Sequence, residues 1–145
     1  MLAIIQRVRS ASVMVIEQKI AHINQGILAL ICIEASDDNL QFQKMYHKLT
    51  GLRIFEDAQK KMNLSLKDIK GGLLLVPQFT LMADTNSGLR PSFSKCCPSQ
   101  LAQEKFKAFS SYCKQHDAST QIGEFGADMQ VTLTNDGPVT LSIKV

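Results

Sequence analysis

The segment PQFTL at residues 77–81 joins an apolar run to polar groups that ester hydrolysis can use. Proline has no backbone N–H, so a strand that ends at Pro77 is predicted to leave the next backbone donors free of the sheet. Donors from Gln78, Phe79 and Thr80 would then form an oxyanion hole for a tetrahedral intermediate, in which one donor contributes about 3 to 4 kcal/mol. A plain turn in which Phe79 fills the core explains the same residues, and the spacing leaves both interpretations open.

A second segment, NDGPVT at residues 135–140, has the same two interpretations. An NDG step between two strands predicts a hairpin turn without any function. The Gly137-Pro138 bond can also be cis, as about 5 to 6% of such bonds are in folded proteins. Flanking carbonyls that point into a pocket would bind an ammonium group and leave no space for a side chain of the wrong hand.

Other catalytic motifs are absent from the sequence. It contains no GxSxG elbow, Walker loop, GxGxxG or HExxH, and His22, His47 and His116 stand apart from paired acids or cysteines. We therefore expect neither a histidine-based triad nor a metal site, and no cofactor.

The four cysteines lack the spacing of a zinc site. Cys32 and Cys113 lie in apolar patterns and are predicted to be core residues. Cys96 and Cys97 are adjacent, but their sequence neighbours include no resolving thiol and no base. A thiol enzyme centred on this pair is thus a minor alternative, and we expect free thiols.

Length and composition limit the class of protein. A chain of 145 residues with 45% hydrophobic and 20% charged residues is predicted to be one folded domain, residues 1–145. It has no apolar run of the roughly 20 residues that a membrane span needs, and no signal peptide pattern. We expect a cytoplasmic protein. The net charge of +3 is compatible with a nucleic-acid partner but is weak support for one.

The first half of the chain predicts strands followed by a helix. The segment IIQRVRSASVMVIEQ indicates two strands about a bend near Ser10, and residues 27–33 indicate a buried strand. Cap candidates then precede a helix that ends near Gly51. Its apolar face has the spacing i, i+3, i+4, i+7 and consists of Phe42, Met45, Tyr46 and Leu49.

The second half predicts strands on both sides of a second helix. RIFED is predicted to be a short strand, GGLLLVPQ a buried strand, and residues 83–93 an irregular loop. A helix follows Pro98. Two strands at residues 129–134 and 139–145 close the chain around the NDG corner. The sum is an α+β fold.

The motifs in their order identify a family. IIQRV, RIFED, KMNLS, PQFTL, GLRPSF, GEFGADM and NDGPVTL together make the chain resemble the D-aminoacyl-tRNA deacylases over essentially all 145 residues. The resemblance implies a mixed, largely antiparallel, curved and barrel-like sheet with two main helices packed on it. It also implies a homodimer that needs no metal and hydrolyses the ester between a D-amino acid, or mischarged glycine, and the terminal adenosine of tRNA.

The resemblance assigns roles to particular residues. The family's signature falls on 77–81, so Gln78, Phe79 and Thr80 would position and activate the ester while the ribose 2′-hydroxyl assists attack by water. Its cross-subunit Gly-cisPro pair falls on Gly137 and Pro138. The two segments would therefore meet in one pocket at the subunit interface, one segment from each subunit.

Further roles follow from the same resemblance. Arg7 would hold the partner's Gly-Pro loop, while Phe125 and Met129 would line the pocket of the terminal adenosine. Pro77 departs from the pattern, because many members have Ser there. A sister class that prefers glycyl substrates also has Pro but replaces the following Phe by Ala, whereas Phe79 is retained here. We therefore favour the chiral proofreader, with a glycine-preferring deacylase and a non-catalytic tRNA-binding module as alternatives.

Overall fold

The structure, a computed structural model, describes residues 1–86 and 88–145. These residues form strands, two α-helices and a short 3-10 helix at Phe79–Met82. The elements follow the order β1 (Leu2–Val15), β2 (Gln18–Ile23), β3 (Gly26–Cys32), α1 (Asn39–Gly51), β4 (Phe55–Glu56), β5 (Met62–Leu64), β6 (Gly72–Pro77), α2 (Ser99–His116), β7 (Gln121–Ile122) and β8 (Gln130–Lys144). Within the described ranges, no helix is long and apolar enough to cross a membrane.

Strand β1 organises the sheet. One of its edges pairs antiparallel with β3, from Leu2 to Val8, and then with β2, from Ala11 to Val15. Its other edge pairs antiparallel with β8. The prediction of two strands about Ser10 is wrong, because β1 continues through this point. What changes there is the partner strand, and local sequence does not reveal the partner.

The sheet is mixed and largely antiparallel, as predicted. Beyond β3, strands β6 and β7 add in parallel, so the order is β2-β1-β3-β6-β7 with β8 on β1. The sheet curls until β2 lies near β6 and β7, which makes a nearly closed barrel. Gly26 and Gly72 permit close approach of β3 and β6: a Cβ on Gly26 would lie 1.9 Å from the carbonyl oxygen of Gly72.

The helices pack on one face of this sheet. The predicted apolar face of α1 is buried, and Phe42 contacts Phe109 of α2 with ring centroids 5.6 Å apart. A separate apolar cluster fills the barrel and includes Val8, Leu74 and Val76. Strands β3 and β6 are therefore covered on both faces, which explains their continuous apolar sequences.

Local signals set the helix ends as expected. The carboxylate of Asp38 accepts a hydrogen bond from the backbone N–H of Leu40 at 2.7 Å, and Gln41 completes a capping box. Helix α2 begins directly after Pro98. The strands β2, β5 and β7 were not predicted: β5 and β7 have only three and two residues, and β2 is exposed at four of its six residues and lacks a clear apolar pattern. The loop at residues 83–93 is irregular except for a bridge between Asp84 and Ser92, and one residue of that prediction, Ser87, lies outside the described ranges.

The chain end differs from the prediction of two strands around a hairpin. Strand β8 runs through the NDG corner and pairs with β1 on both sides of it, with Val8 opposite Asn135 and Gln6 opposite Thr140. Residues 136–139 thus lie opposite Arg7 alone and form a bulge. The hairpin prediction is wrong because the chain does not reverse direction here. We call residues 135–140 the Gly-Pro bulge.

Candidate active site

A cavity of about 580 Å³ lies where β6 ends. The strand stops at Pro77, and the short 3-10 helix that begins at Phe79 turns the chain away from the sheet. The sides of this β6 cavity are mostly apolar. They include five residues that the sequence assigned to the site, namely Pro77, Gln78, Phe79, Phe125 and Met129.

The backbone donors after Pro77 are only partly free. Gln78 donates its N–H to the carbonyl oxygen of Ile31 at 2.8 Å, so the prediction that this donor leaves the sheet is wrong. In a parallel sheet, the N–H groups of successive residues point alternately to the two neighbouring strands. The N–H of Gln78 points to β3, whereas an N–H at position 77, which proline lacks, would point to β7. The N–H groups of Phe79 and Thr80 have no acceptor among the described residues. These two donors remain available at the cavity.

The Thr80 side chain lies outside the cavity wall and is exposed. Its hydroxyl oxygen accepts a hydrogen bond from the amide nitrogen of Gln78. An amide cannot remove the hydroxyl proton, so this partner does not activate Thr80 as a nucleophile.

Aromatic rings surround the mouth of the cavity. Phe79 is 53% exposed and meets Phe93 edge-on, with ring centroids 5.3 Å apart. Deeper in, Phe125 packs against Phe106 with ring centroids 6.1 Å apart. Exposed aromatic surface beside free backbone donors suits a flat, polar-edged ligand such as a nucleobase.

Two thiols converge at the wall of the cavity. The sulfurs of Cys32 and Cys96 lie 3.7 and 3.8 Å from the carbonyl oxygen of Phe79. Burial raises the pKa of Cys32 to about 11. Sequence reasoning missed this contact, because Cys32 is far along the chain from Cys96 and no local pattern links them. Cys32 and Cys113 are buried as predicted.

Arg7 holds the Gly-Pro bulge of its own chain. Its side chain is buried, and its Nε donates to the carbonyl oxygen of Asp136 at 2.8 Å while Nη1 donates to that of Ile54 at 2.6 Å. Asn135 ties the two flanks together, since its Oδ1 accepts from the N–H of Val139 at 2.8 Å. The role of Arg7 toward a partner's loop stays a prediction.

The bulge and the β6 cavity are separate within one chain. Gly137 and Pro138 are exposed, their peptide bond is cis, and neither residue contributes to the cavity wall. The chain therefore gathers five predicted site residues at the cavity, with Thr80 beside it, and leaves Arg7, Gly137 and Pro138 at the β1–β8 edge. In the part of the chain that the structure describes, no three His, Cys, Asp or Glu side chains form a metal-binding group.

Comparisons with known proteins agree on one family. The family described as D-Tyr-tRNA(Tyr) deacylase matches residues 4–144. The D-aminoacyl-tRNA deacylase of Francisella tularensis subsp. novicida is 57% identical over 145 residues, covering 100% of both chains. A solved structure of the c-Myc DNA Unwinding Element Binding Protein has a TM-score of 0.93 at 34% identity, covering 100% of this chain and 99% of that one. A probable eukaryotic D-amino acid tRNA deacylase shares the fold, with a TM-score of 0.81 at 15% identity over 98% of both chains.

Proposed function

This chain belongs to the D-Tyr-tRNA(Tyr) deacylase family, and we propose that it proofreads the chirality of aminoacyl-tRNA. It is a D-aminoacyl-tRNA deacylase, a hydrolase that acts on aminoacyl-tRNA. Water cleaves the ester between a D-amino acid and the terminal adenosine, which releases free tRNA and the amino acid. Since aminoacyl-tRNA is made and used in the cytoplasm, the enzyme works there.

The unpaired N–H groups of Phe79 and Thr80 are the observation that carries the chemical part of this proposal. Directed at the ester carbonyl, they stabilise the negative charge that develops on its oxygen as water attacks. One such donor contributes about 3 to 4 kcal/mol in known oxyanion holes. Gln78 anchors this element, because its own N–H remains bound to β3.

The proton must then leave the attacking water without help from Thr80. The Thr80 hydroxyl bonds to the Gln78 amide, which is not a base. The ribose 2′-hydroxyl of the terminal adenosine, adjacent to the ester, is the group that assists the water. The protein contributes position and charge stabilisation, which together account for large rate enhancements.

The β6 cavity receives the terminal adenosine. Its volume of about 580 Å³ and its apolar sides, including Phe125 and Met129, suit a stacked purine with its ribose. Stacking on aromatic side chains is how proteins commonly hold unpaired RNA bases. Recognition of the chain end alone lets one enzyme serve many tRNAs.

The chirality filter is completed by a second copy of the chain. Within one chain the Gly-Pro bulge does not reach the β6 cavity, yet it is held firmly by Arg7 and presents the exposed Pro138 outward. In a homodimer this bulge covers the cavity of the other subunit. Its rigid main chain accepts the substrate's ammonium group and collides with an L side chain, while a D side chain points away.

Glycine has no side chain to collide with this main chain. The same site therefore hydrolyses mischarged glycyl-tRNA without any additional residue. Pro77 matches the glycine-preferring sister class, but the retained ring of Phe79 at the cavity favours the D-specific enzyme. The glycine-preferring deacylase is the second candidate.

Two other candidates are less well supported. A non-catalytic tRNA-binding module would not require two unpaired backbone donors beside the cavity. A thiol enzyme centred on Cys96 and Cys97 would require a base beside its thiol, whereas the Cys96 sulfur contacts the carbonyl oxygen of Phe79, and burial raises the pKa of Cys97.

The deciding experiment compares hydrolysis of D-tyrosyl-, glycyl- and L-tyrosyl-tRNA by the purified protein. We expect release from the D and glycyl esters and retention of the L ester. Equal release of the D and L esters would contradict the filter. Binding without release of any amino acid would indicate the non-catalytic module, and a strong preference for the glycyl ester would indicate the sister class.

A further inference from the structure

We propose that Cys32 and Cys96 are an oxidative modification site, which a hydroperoxide converts into a disulfide directly behind Phe79. The part of this proposal that concerns enzyme activity rests on the proposed function. The formation of the disulfide does not, because it follows from the positions of the two thiols.

The shared contact with Phe79 brings the two thiols together. Both sulfurs lie within 4 Å of the Phe79 carbonyl oxygen, one at 3.7 Å and the other at 3.8 Å. They are therefore no farther apart than about twice that distance. A disulfide needs Cβ atoms roughly 3.5 to 4.5 Å apart, so a small displacement of one backbone segment is required.

The loop that carries Cys96 can provide this displacement. Cys96 follows an irregular segment and precedes the start of α2, whereas Cys32 is the last residue of β3 and is held in the sheet. Cys96 is also part of the wall of the β6 cavity, where dissolved peroxide reaches it. Cys32 is buried, so Cys96 is the more accessible of the two thiols.

The chemistry proceeds in two balanced steps. In the first, the Cys96 thiolate attacks one oxygen of hydrogen peroxide, the O–O bond breaks, and hydroxide leaves, which gives a sulfenic acid. In the second, the sulfur of Cys32 attacks that sulfenic sulfur; the S–S bond forms, and the Cys32 proton leaves with the hydroxyl group as water. Peroxide is reduced to water and hydroxide, and the two thiols are oxidised.

The remaining cysteines do not compete for this role. Cys113 is fully buried on α2, and burial raises its pKa to about 12. Cys97 also lines the β6 cavity, but its side chain packs against the core cluster of the helices, and burial raises its pKa. Cys32 thus supplies the resolving thiol that the sequence around Cys96 lacks.

The disulfide changes the element that carries catalysis. Both thiols give up their contacts with the Phe79 carbonyl, and the Cys96 loop is drawn toward β3. The neighbouring N–H groups of Phe79 and Thr80 then shift relative to the ester. A displacement of about 1 Å costs about 100-fold in rate at other enzyme sites, so we expect a loss of that order, reversed by dithiothreitol.

The first measurement maps the disulfide and needs no substrate. The reduced protein is treated with hydrogen peroxide, its remaining thiols are alkylated in denaturant, and its peptides are analysed by mass spectrometry. We expect a Cys32–Cys96 linked peptide, with Cys97 and Cys113 alkylated. Linkage of Cys96 to Cys97, linkage between two chains, or four alkylated thiols would overturn the proposal.

The second measurement follows deacylation before oxidation, after oxidation and after dithiothreitol. Each variant is compared with its own reduced form. Cys96→Ser should lose the sensitivity to peroxide, and Cys97→Ser, the matched control, should keep it. Cys32→Ala should form a sulfenic acid at Cys96 but no linked peptide. Equal sensitivity of Cys96→Ser would overturn the proposal even if the protein deacylates normally. If the protein deacylates no substrate, peptide mapping still decides whether the site exists.

Discussion

Arg7 donates its Nε–H to the carbonyl oxygen of Asp136 across 2.8 Å, although the two residues are far apart in the sequence. The contact fills the space that opens where β8 bulges away from β1. It fixes the Gly-Pro bulge from its buried side, while Gly137 and Pro138 remain exposed. The buried guanidinium therefore fixes the position of an exposed segment of main chain.

Arg7→Ala should loosen the bulge. Two carbonyl oxygens, of Asp136 and Ile54, lose their donor, and a buried acceptor without a partner costs about 1 to 3 kcal/mol. We expect a fall of this size in the free energy of unfolding, measured in urea, and weaker discrimination against L-tyrosyl-tRNA. Arg9→Ala is the matched control, since Arg9 also contacts Asp136 but its side chain is 75% exposed. Equal effects of the two substitutions would contradict the positioning role.

Gly137→Ala should disturb the bulge directly. The φ angle is 137°, and an added Cβ would lie 3.0 Å from Nη2 of Arg7 and 2.9 Å from Cγ2 of Val139. Backbone strain at such a position costs about 1 to 3 kcal/mol, and we expect a similar loss of stability together with a large loss of deacylation. Gly88→Ala is the control, because Gly88 also has positive φ but an added Cβ meets no described atom within 4 Å. It should lose stability without losing deacylation.

Glu34 should make folding stability depend on pH in the acid range. Its carboxylate accepts a hydrogen bond from the Met1 ammonium at 2.6 Å, and this bond lowers the pKa of Glu34 in the folded chain. The stabilisation is present above the unfolded pKa of about 4.3 and is lost as the pH falls through the lower folded pKa.

Urea unfolding at several pH values tests this dependence. Glu34→Gln should destabilise the protein at neutral pH and flatten the fall in stability below about pH 4. The exposed Glu124→Gln serves as the comparison and should leave the profile unchanged. A Glu34→Gln profile identical to that of the unmodified protein would disprove the assignment.

Thr80→Ala should retain much of the deacylation rate. Only the backbone N–H of Thr80 has a proposed catalytic role, and this group survives the substitution. Removal of a true nucleophile costs several orders of magnitude in rate. Single-turnover hydrolysis of D-tyrosyl-tRNA measures the difference. A rate that falls by several orders of magnitude would indicate that the Thr80 hydroxyl is the nucleophile.

The substrate's ribose should matter more than the Thr80 hydroxyl. A D-aminoacyl-tRNA whose terminal ribose lacks the 2′-hydroxyl should bind but not turn over, because the group that assists the water is missing. Binding and hydrolysis are measured separately on the same substrate, with the 2′-hydroxyl form as control. Unchanged turnover would contradict RNA-assisted catalysis.

Sequence patterns predicted the elements that depend on local forces. The apolar spacing from Phe42 to Leu49 and the acceptor at Asp38 determined α1, and Pro98 marked the start of α2. Continuous apolar residues predicted β3 and β6. The predicted strand ends were wrong where pairing with a distant strand determines how far a strand extends. Strand β1 continues past Ser10 and β8 continues through the NDG corner because these two strands pair with each other.

The amino-acid sequence by itself determined the two helices and the buried strands, because propensity, capping and periodicity act over a few neighbours, and its motifs identified the family. Only the tertiary structure decided that Gln78 stays in the sheet while the N–H groups of Phe79 and Thr80 do not, and that Cys32 meets Cys96 at one carbonyl oxygen. Such contacts depend on strand order and register, which are set by packing across the whole chain.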